Sequence, residues 1–281
     1  MTDRLRKLVK LWVDLFDEHA LLDHASAIAF AVLKALVPLT LLGLALLGEV
    51  GQQHVWKQTM LPGLKPHVQA ATAHAIDVAV QKIFSTDSTG LIVFASIVAL
   101  WYVSGSVRAV MSSTNVIYGS KETRSWKVRF PLSLALAAVV AVCVVGAALA
   151  VLAAPALAKH GALQVVVALG RWLVAVVLLA LAVAVLVRFA PVQSRSKTWV
   201  SGGSLVVILA WVATSMIFKL LVTQVLSFKT ATGSLGVFLV LAGYVYTSSI
   251  IFLLGVELDE LLRQDATEGE TGVLQLLGIA R

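Results

Sequence analysis

The chain has 281 residues, of which 59% are hydrophobic and only 13% charged, with a formal net charge of +7. A water-soluble domain carries about a quarter charged residues, so a soluble enzyme and a disordered chain are both excluded. The basic excess would suggest nucleic acid in a soluble protein, but in a membrane protein it serves orientation, and no nucleic-acid partner is expected.

Residues 1–22 mix Arg4, Arg6, Lys7 and Lys10 with Asp14, Asp17, Glu18 and apolar side chains. No short hydrophobic core with a cleavage site follows, so the segment reads as amphipathic rather than as a signal peptide. Its cations suit anionic lipid headgroups on the cytoplasmic face. Asp23 fits an N-cap for the first membrane helix. Residues 23–262 form the expected membrane domain, all-α and polytopic. Six almost chargeless runs are each long enough to cross a hydrocarbon core of about 30 Å: Ser26–Gly48, Thr89–Met111, Pro131–Ala153, Val165–Val187, Gly203–Leu221 and Leu235–Val256. The third and fourth are rich in Ala and Val, yet runs of this length satisfy their backbone only as helices, and they lack the alternation of barrel strands.

The one long loop, Glu49 to Ser88, contains a segment at about residues 66–84 that reads as an extra amphipathic helix. Pro66 suits its first turn. Val68, Ala71, Ala75, Val78, Ala79 and Ile83 recur at spacings of three and four. This helix is expected on the outer membrane surface or capping the bundle. Residues 263–281 are left as a cytoplasmic tail. With both termini inside, fourteen Lys and Arg fall on the inner side and seven on the outer, the asymmetry that sets both termini in the cytoplasm.

Lys34 lies about 12 Å inside the first helix, where a lone ammonium is costly unless it snorkels or faces a polar interior. Pro38 removes the amide that would bond the Lys34 carbonyl. The pair reads either as a site for an anionic group or as a snorkelling lysine. Arg108 shares a helix face with Ser104 and Ser112, and Glu257 ends the last helix at the same depth, so an Arg108–Glu257 pair is expected to close the cytoplasmic side. Tyr244 and Tyr246 precede Thr247, Ser248 and Ser249, a hydroxyl cluster suited either to pairing across helices or to lining a polar cavity. Arg171 and Arg188 read as interfacial anchors, and the single cysteine, Cys143, as a packing residue. His67, His74 and Asp77, like His19 and Asp23 with Asp17, Glu18 and His24, lack the spacing of a metal site, so no metal or cofactor is expected.

Several stretches together resemble the YihY/BrkB family of bacterial inner-membrane proteins, once misnamed ribonuclease BN. They are HASAIAFAVLKALVPLTLLGLALLG (His24–Gly48), GLIVFASIVALWYVSGSVRAVMSSTNVIYG (Gly90–Gly119), RFAP (Arg188–Pro191) with Trp199 and Gly203, and TGSLGVFLVLAGYVYTSSIIFLLGVELDELL (Thr232–Leu262). Within them Pro38, Trp101, Arg108, Asn115, Gly233, Ser234, Tyr246, Gly255 and Glu257 fall as in the family, whereas Lys34, Ala35 and Asp259 depart from it. The resemblance implies a bacterial inner-membrane protein of the envelope, linked to integrity, virulence and in some members lipid export. The function expected is transport or handling of a lipid or other amphipathic anion, without catalysis. The alternative is a scaffold that supports the envelope without moving anything. Lys34, Pro38, Arg108, Asn115, Tyr246 and Glu257 are the candidate binding or gating residues, with Pro38 and Gly233 permitting helix irregularity. Anionic membrane lipids are the expected partners, alongside envelope proteins and further copies of the chain.

Overall fold

The computed structural model describes residues 14, 16–65, 70–85, 88–153, 162–192, 202–224 and 231–268. Residues 1–13 of the amphipathic segment, Pro66, His67, Val68, Trp199 and the tail from 269 onward lie outside the described residues. Among the described residues all regular structure is helical. Six long helices stand where the apolar runs predict them: α1 (Leu21–Glu49), α4 (Ser88–Ile117), α5 (Trp126–Ala153), α6 (Ala162–Phe189), α7 (Gly202–Gln224) and α8 (Ala231–Glu268). Five of them are long and apolar enough to cross a membrane, and the apolar part of α7 is the shorter Val206–Leu221. Between α1 and α4 lie α2, a run of short helical pieces (Gln53–Val55, a π-helical turn Trp56–Met60, and Leu61–Leu64), and α3 (Ala70–Ser85).

The helices are longer than the bilayer requires, and this changes two expectations. Helix α1 begins at Leu21, with Ala20 in a left-handed conformation (φ 45°) at its cap position and no side-chain cap. Asp23 therefore lies in the first turn, where a carboxylate still favours the positive end of the helix dipole. Helix α8 continues to Glu268, so Glu257 sits within a helix rather than at its end. Neither Pro38 nor Gly233 interrupts its helix, since α1 runs on past Pro38 and α8 is helical from Ala231.

Helices α1 and α4 form the central pair. Small residues let them approach closely: Ala25, Ala95 and Ala99 are wholly buried, as membrane helix contacts favour. Helix α5 packs beside α4 and α6 beside α5, while α8 packs beside α1 and α7 beside α8. Among the described residues the helices follow in the order α6–α5–α4–α1–α8–α7, and the two end helices meet at few points.

Burial is unequal along the bundle. We call the end holding the start of α1 and the close of α8 proximal, and the end holding α2 and α3 distal. The main core gathers Leu21, Ala25 and Ile28 of α1, Val107, Val110 and Met111 of α4, Leu136 and Ala137 of α5, Val183 and Val185 of α6, and Phe252, Leu253 and Val256 of α8. Most of these lie in the proximal half of their helices. Toward the distal end, no described side chain of α7 beyond Val207 is buried, and none of α8 before Val245.

A second small core caps the distal end. Trp56, Leu61 and Val80 pack with Leu44 of α1, Ile76 and Phe84, and Phe84 lies against Gly48, where a Cβ would come within 3.0 Å of its ring. The extra helix between the first two long helices thus exists as expected, but its buried face is the opposite one. Ala73, Ile76, Val80 and Phe84 face the bundle, whereas Ala71, Ala75, Val78 and Ala79 are exposed. The helix carries two apolar stripes, and the contact with α1 and α2 selects between them.

Candidate functional site

The Ser104-to-Arg108 spacing does what helical geometry requires. Arg108 Nη1 donates to Ser104 Oγ at 2.9 Å, and also crosses to Ser133 Oγ of α5 at 3.2 Å. Both hydroxyls in turn donate to carbonyls of their own helices, Trp101 O and Phe130 O. The guanidinium carbon lies 5.7 Å from the Phe130 ring centre, a cation–π distance. Phe130 stacks on Trp126 and meets Trp101 edge-on. Ser112, the other residue expected on this face, is exposed.

The expected Arg108–Glu257 pair is not formed. Glu257 is 1% exposed and its Oε2 lies 3.0 Å from Nδ1 of His19. The left-handed turn at Ala20 separates His19 from α1 and places the imidazole beside α8. One helical turn further along, buried Glu260 takes a two-pronged hydrogen bond from Arg263, at 2.6 and 3.0 Å. A carboxylate this buried requires a partner, and the imidazole supplies it from the far end of the chain. His19 belongs to this contact rather than to a metal cluster. Among the described residues no group of three or more His, Cys, Asp and Glu stands close enough to share an ion.

Asn115 holds the proximal end of the α4–α5–α6 group together. Gly119 (φ 58°) ends α4: its N–H donates to Val116 O, and the Ser120 N–H reaches back to Asn115 O, the paired bonds of a Schellman motif. The following loop turns inward. Asn115 Nδ2 donates to Glu122 Oε2 at 3.1 Å, and the Val192 N–H donates to Asn115 Oδ1 at 2.9 Å. Arg124 grips Glu122 through Nε and Nη2 and donates to Ala190 O at 2.7 Å. Arg129 Nε stands 3.7 Å from the same carboxylate. Burial would raise the Glu122 carboxyl, but the Arg124 hydrogen bonds and the two arginine charges outweigh it and hold it below its ordinary value of 4.5.

The remaining candidates separate. Lys34 does not line the bundle interior: it is exposed, with its ammonium 4.4 Å from the centre of the Phe30 ring on the outer face of α1. Pro38 is buried, and Tyr246 packs half-buried against the main core. Of the neighbouring hydroxyl cluster, Tyr244 pairs across helices, its Oη 3.0 Å from Ser215 Oγ of α7, whereas Ser249 Oγ donates to Val245 O of its own helix. Trp211 Nε1 donates to the Ser248 backbone carbonyl at 3.1 Å. At the distal cap Trp56 Nε1 donates to Asp77 Oδ1 at 2.7 Å, and this bond holds the Asp77 carboxyl below the usual range.

The six candidates therefore form no single site. Arg108, Asn115 and Glu257 anchor three separate proximal clusters, while Lys34 stands on the outer surface. Sequence reasoning missed His19, Glu122 and Arg124. Glu122 carried a signal, being the sole acid in the basic stretch from Lys121 to Arg129. His19 carried none, because 238 positions separate it from its partner.

Comparison with known proteins matches residues 13–273 to the family model described as "Virulence factor BrkB". The chain is also 24% identical over 209 residues to ribonuclease-like protein YfkH of Bacillus subtilis (strain 168), an alignment covering 72% of this chain and 76% of that relative. No solved structure gives a significant match.

Proposed function

This chain belongs to the virulence factor BrkB family, and from that premise we propose that it transports or handles a lipid or other amphipathic anion in the bacterial inner membrane. Both termini lie in the cytoplasm on this reading, so the proximal end faces inward and all six long helices span. One observation carries it. The bundle is closely packed in its proximal half, whereas α6 and α7 barely meet and the distal half of α7 buries no described side chain. A bundle sealed on one side and loosely closed on the other suits a protein that admits an amphiphile from the outer side. On its side toward α8, α7 carries a polar pair, Ser215 Oγ with Tyr244 Oη, beside exposed apolar residues such as Met216 and Ile217.

Labelling with a membrane-impermeant thiol reagent tests this on a Cys143→Ala background in sealed vesicles. Ser215→Cys is expected to react from the outer side and to be protected by an anionic amphiphile. Ile97→Cys, exposed on α4, is expected to face lipid and stay unreactive. Equal silence at both positions would leave the bundle dry and favour the scaffold reading. We also read the chain as non-catalytic, against the name of its ribonuclease-like relative. Purified chain is expected to cleave RNA no faster than a boiled control.

A further inference from the structure

We propose that Arg108 binds the phosphate of an anionic phospholipid in a slot on the membrane-facing surface between α4 and α5. A guanidinium offers five N–H donors in a rigid fork matched to phosphate oxygens. Here Nη1 is held by Ser104 and Ser133, which fixes the plane of the fork. The other edge, Nε and Nη2, makes no hydrogen bond to the described residues, and no carboxylate pairs with it. Gly105 leaves that edge uncovered, since even a Cβ there would stand 3.8 Å from Nη2. An anchored cation with a free bidentate edge recognises an oxyanion.

The surroundings select a lipid over a soluble anion. Trp101 and Trp126, on either side of Phe130, are 59% and 73% exposed. Trp126, which opens α5, stands at the level where headgroups meet acyl chains, whereas Trp101 lies deeper, near the middle of α4. Arg129 lies one helical turn before Ser133, but its charge is shared with Glu122, whose carboxylate is 3.7 Å from its Nε, so Arg108 carries the site. The phosphate would lie on the Arg108 edge, with its acyl chains along the apolar surface beyond Trp101. This site differs from the α6–α7 seam and does not require that any cargo move.

Native mass spectrometry of the full chain in mild detergent tests the assignment, with phosphatidylglycerol, phosphatidylcholine and inorganic phosphate as probes. Wild type is expected to retain one phosphatidylglycerol under conditions that strip phosphatidylcholine. Arg108→Gln is expected to lower that occupancy about tenfold or more, as for loss of a charge-assisted pair, and Arg108→Lys to fall between them. Gly105→Leu keeps the arginine and both serines but covers the free edge, so it is expected to lose the lipid while folding normally, and it stands in should Arg108→Gln fail to fold. Equal retention of both lipids by wild type would overturn the proposal. So would wild-type occupancy in a folded Arg108→Gln or in Gly105→Leu. Displacement of the lipid by millimolar inorganic phosphate would make this a soluble-anion site and would also overturn it. None of these results depends on the labelling of Ser215→Cys.

Discussion

Replacing His19 with alanine removes the partner of the most buried carboxylate in the proximal core. The two groups are 3.0 Å apart, and Glu257 is 1% exposed while His19 is 20% exposed. A buried carboxyl left without its hydrogen-bond partner costs about 1–3 kcal/mol. The near-complete burial of Glu257 puts the loss in the upper part of that range, about 2–3 kcal/mol. At about 2–4 °C per kcal/mol for large domains, melting in detergent is expected to fall by about 4–12 °C. Glu257→Gln, which keeps a polar contact with the imidazole, is expected to be milder. The His19→Ala/Glu257→Gln double variant is expected to be less destabilised than the sum of the two, with a coupling above about 1 kcal/mol. Additive effects would refute the argument, because the two side chains would then contribute independently.

Three further outcomes follow from the proximal network and the distal cap. Asn115→Ala removes the bonds to Glu122 and Val192 and is expected to cost about 1–3 kcal/mol. Asn115→Asp keeps an acceptor for Val192 but sets a second carboxylate against Glu122, so at neutral pH it is expected to melt no higher than the alanine variant. The Glu122 carboxyl is depressed below its ordinary 4.5, so its contribution is fully present above that value and is lost as pH falls through the lower folded value. Melting curves at decreasing pH are therefore expected to steepen in their loss below about pH 4.5, and Glu122→Gln to flatten that limb. Gly48→Ala drives a methyl toward Phe84 at 3.0 Å and is expected to cost about 1–3 kcal/mol by overpacking. Adding Phe84→Ala should relieve that penalty, read as a less-than-additive loss in melting temperature.

The long helices were legible because their cause is local. A chargeless run in lipid must bond its own backbone, so all six helices stand where the runs predicted them, and the four-residue spacing brought Ser104 to Arg108. Partner choice was not local. A linear reading offered Glu257 the arginine at similar depth; the histidine 238 positions away carried no signal, and only the packing of the chain's start against α8 brought it in. Lys34 has the same sequence neighbours whether it faces inward or outward; its exposure follows from α4 and α8 occupying the Ala25–Ile28–Ala35 face of α1. Helix α3 gives the clearest separation. Its helical period was written in the sequence, but two apolar stripes shared that period, and the Trp56–Asp77 bond with the Gly48–Phe84 contact chose the one spaced as Ala73, Ile76, Val80 and Phe84. A single chain thus sets where its helices lie from local hydrophobicity and backbone bonding. Which face each presents, and which buried charge meets which partner, is set by helices that meet only after folding.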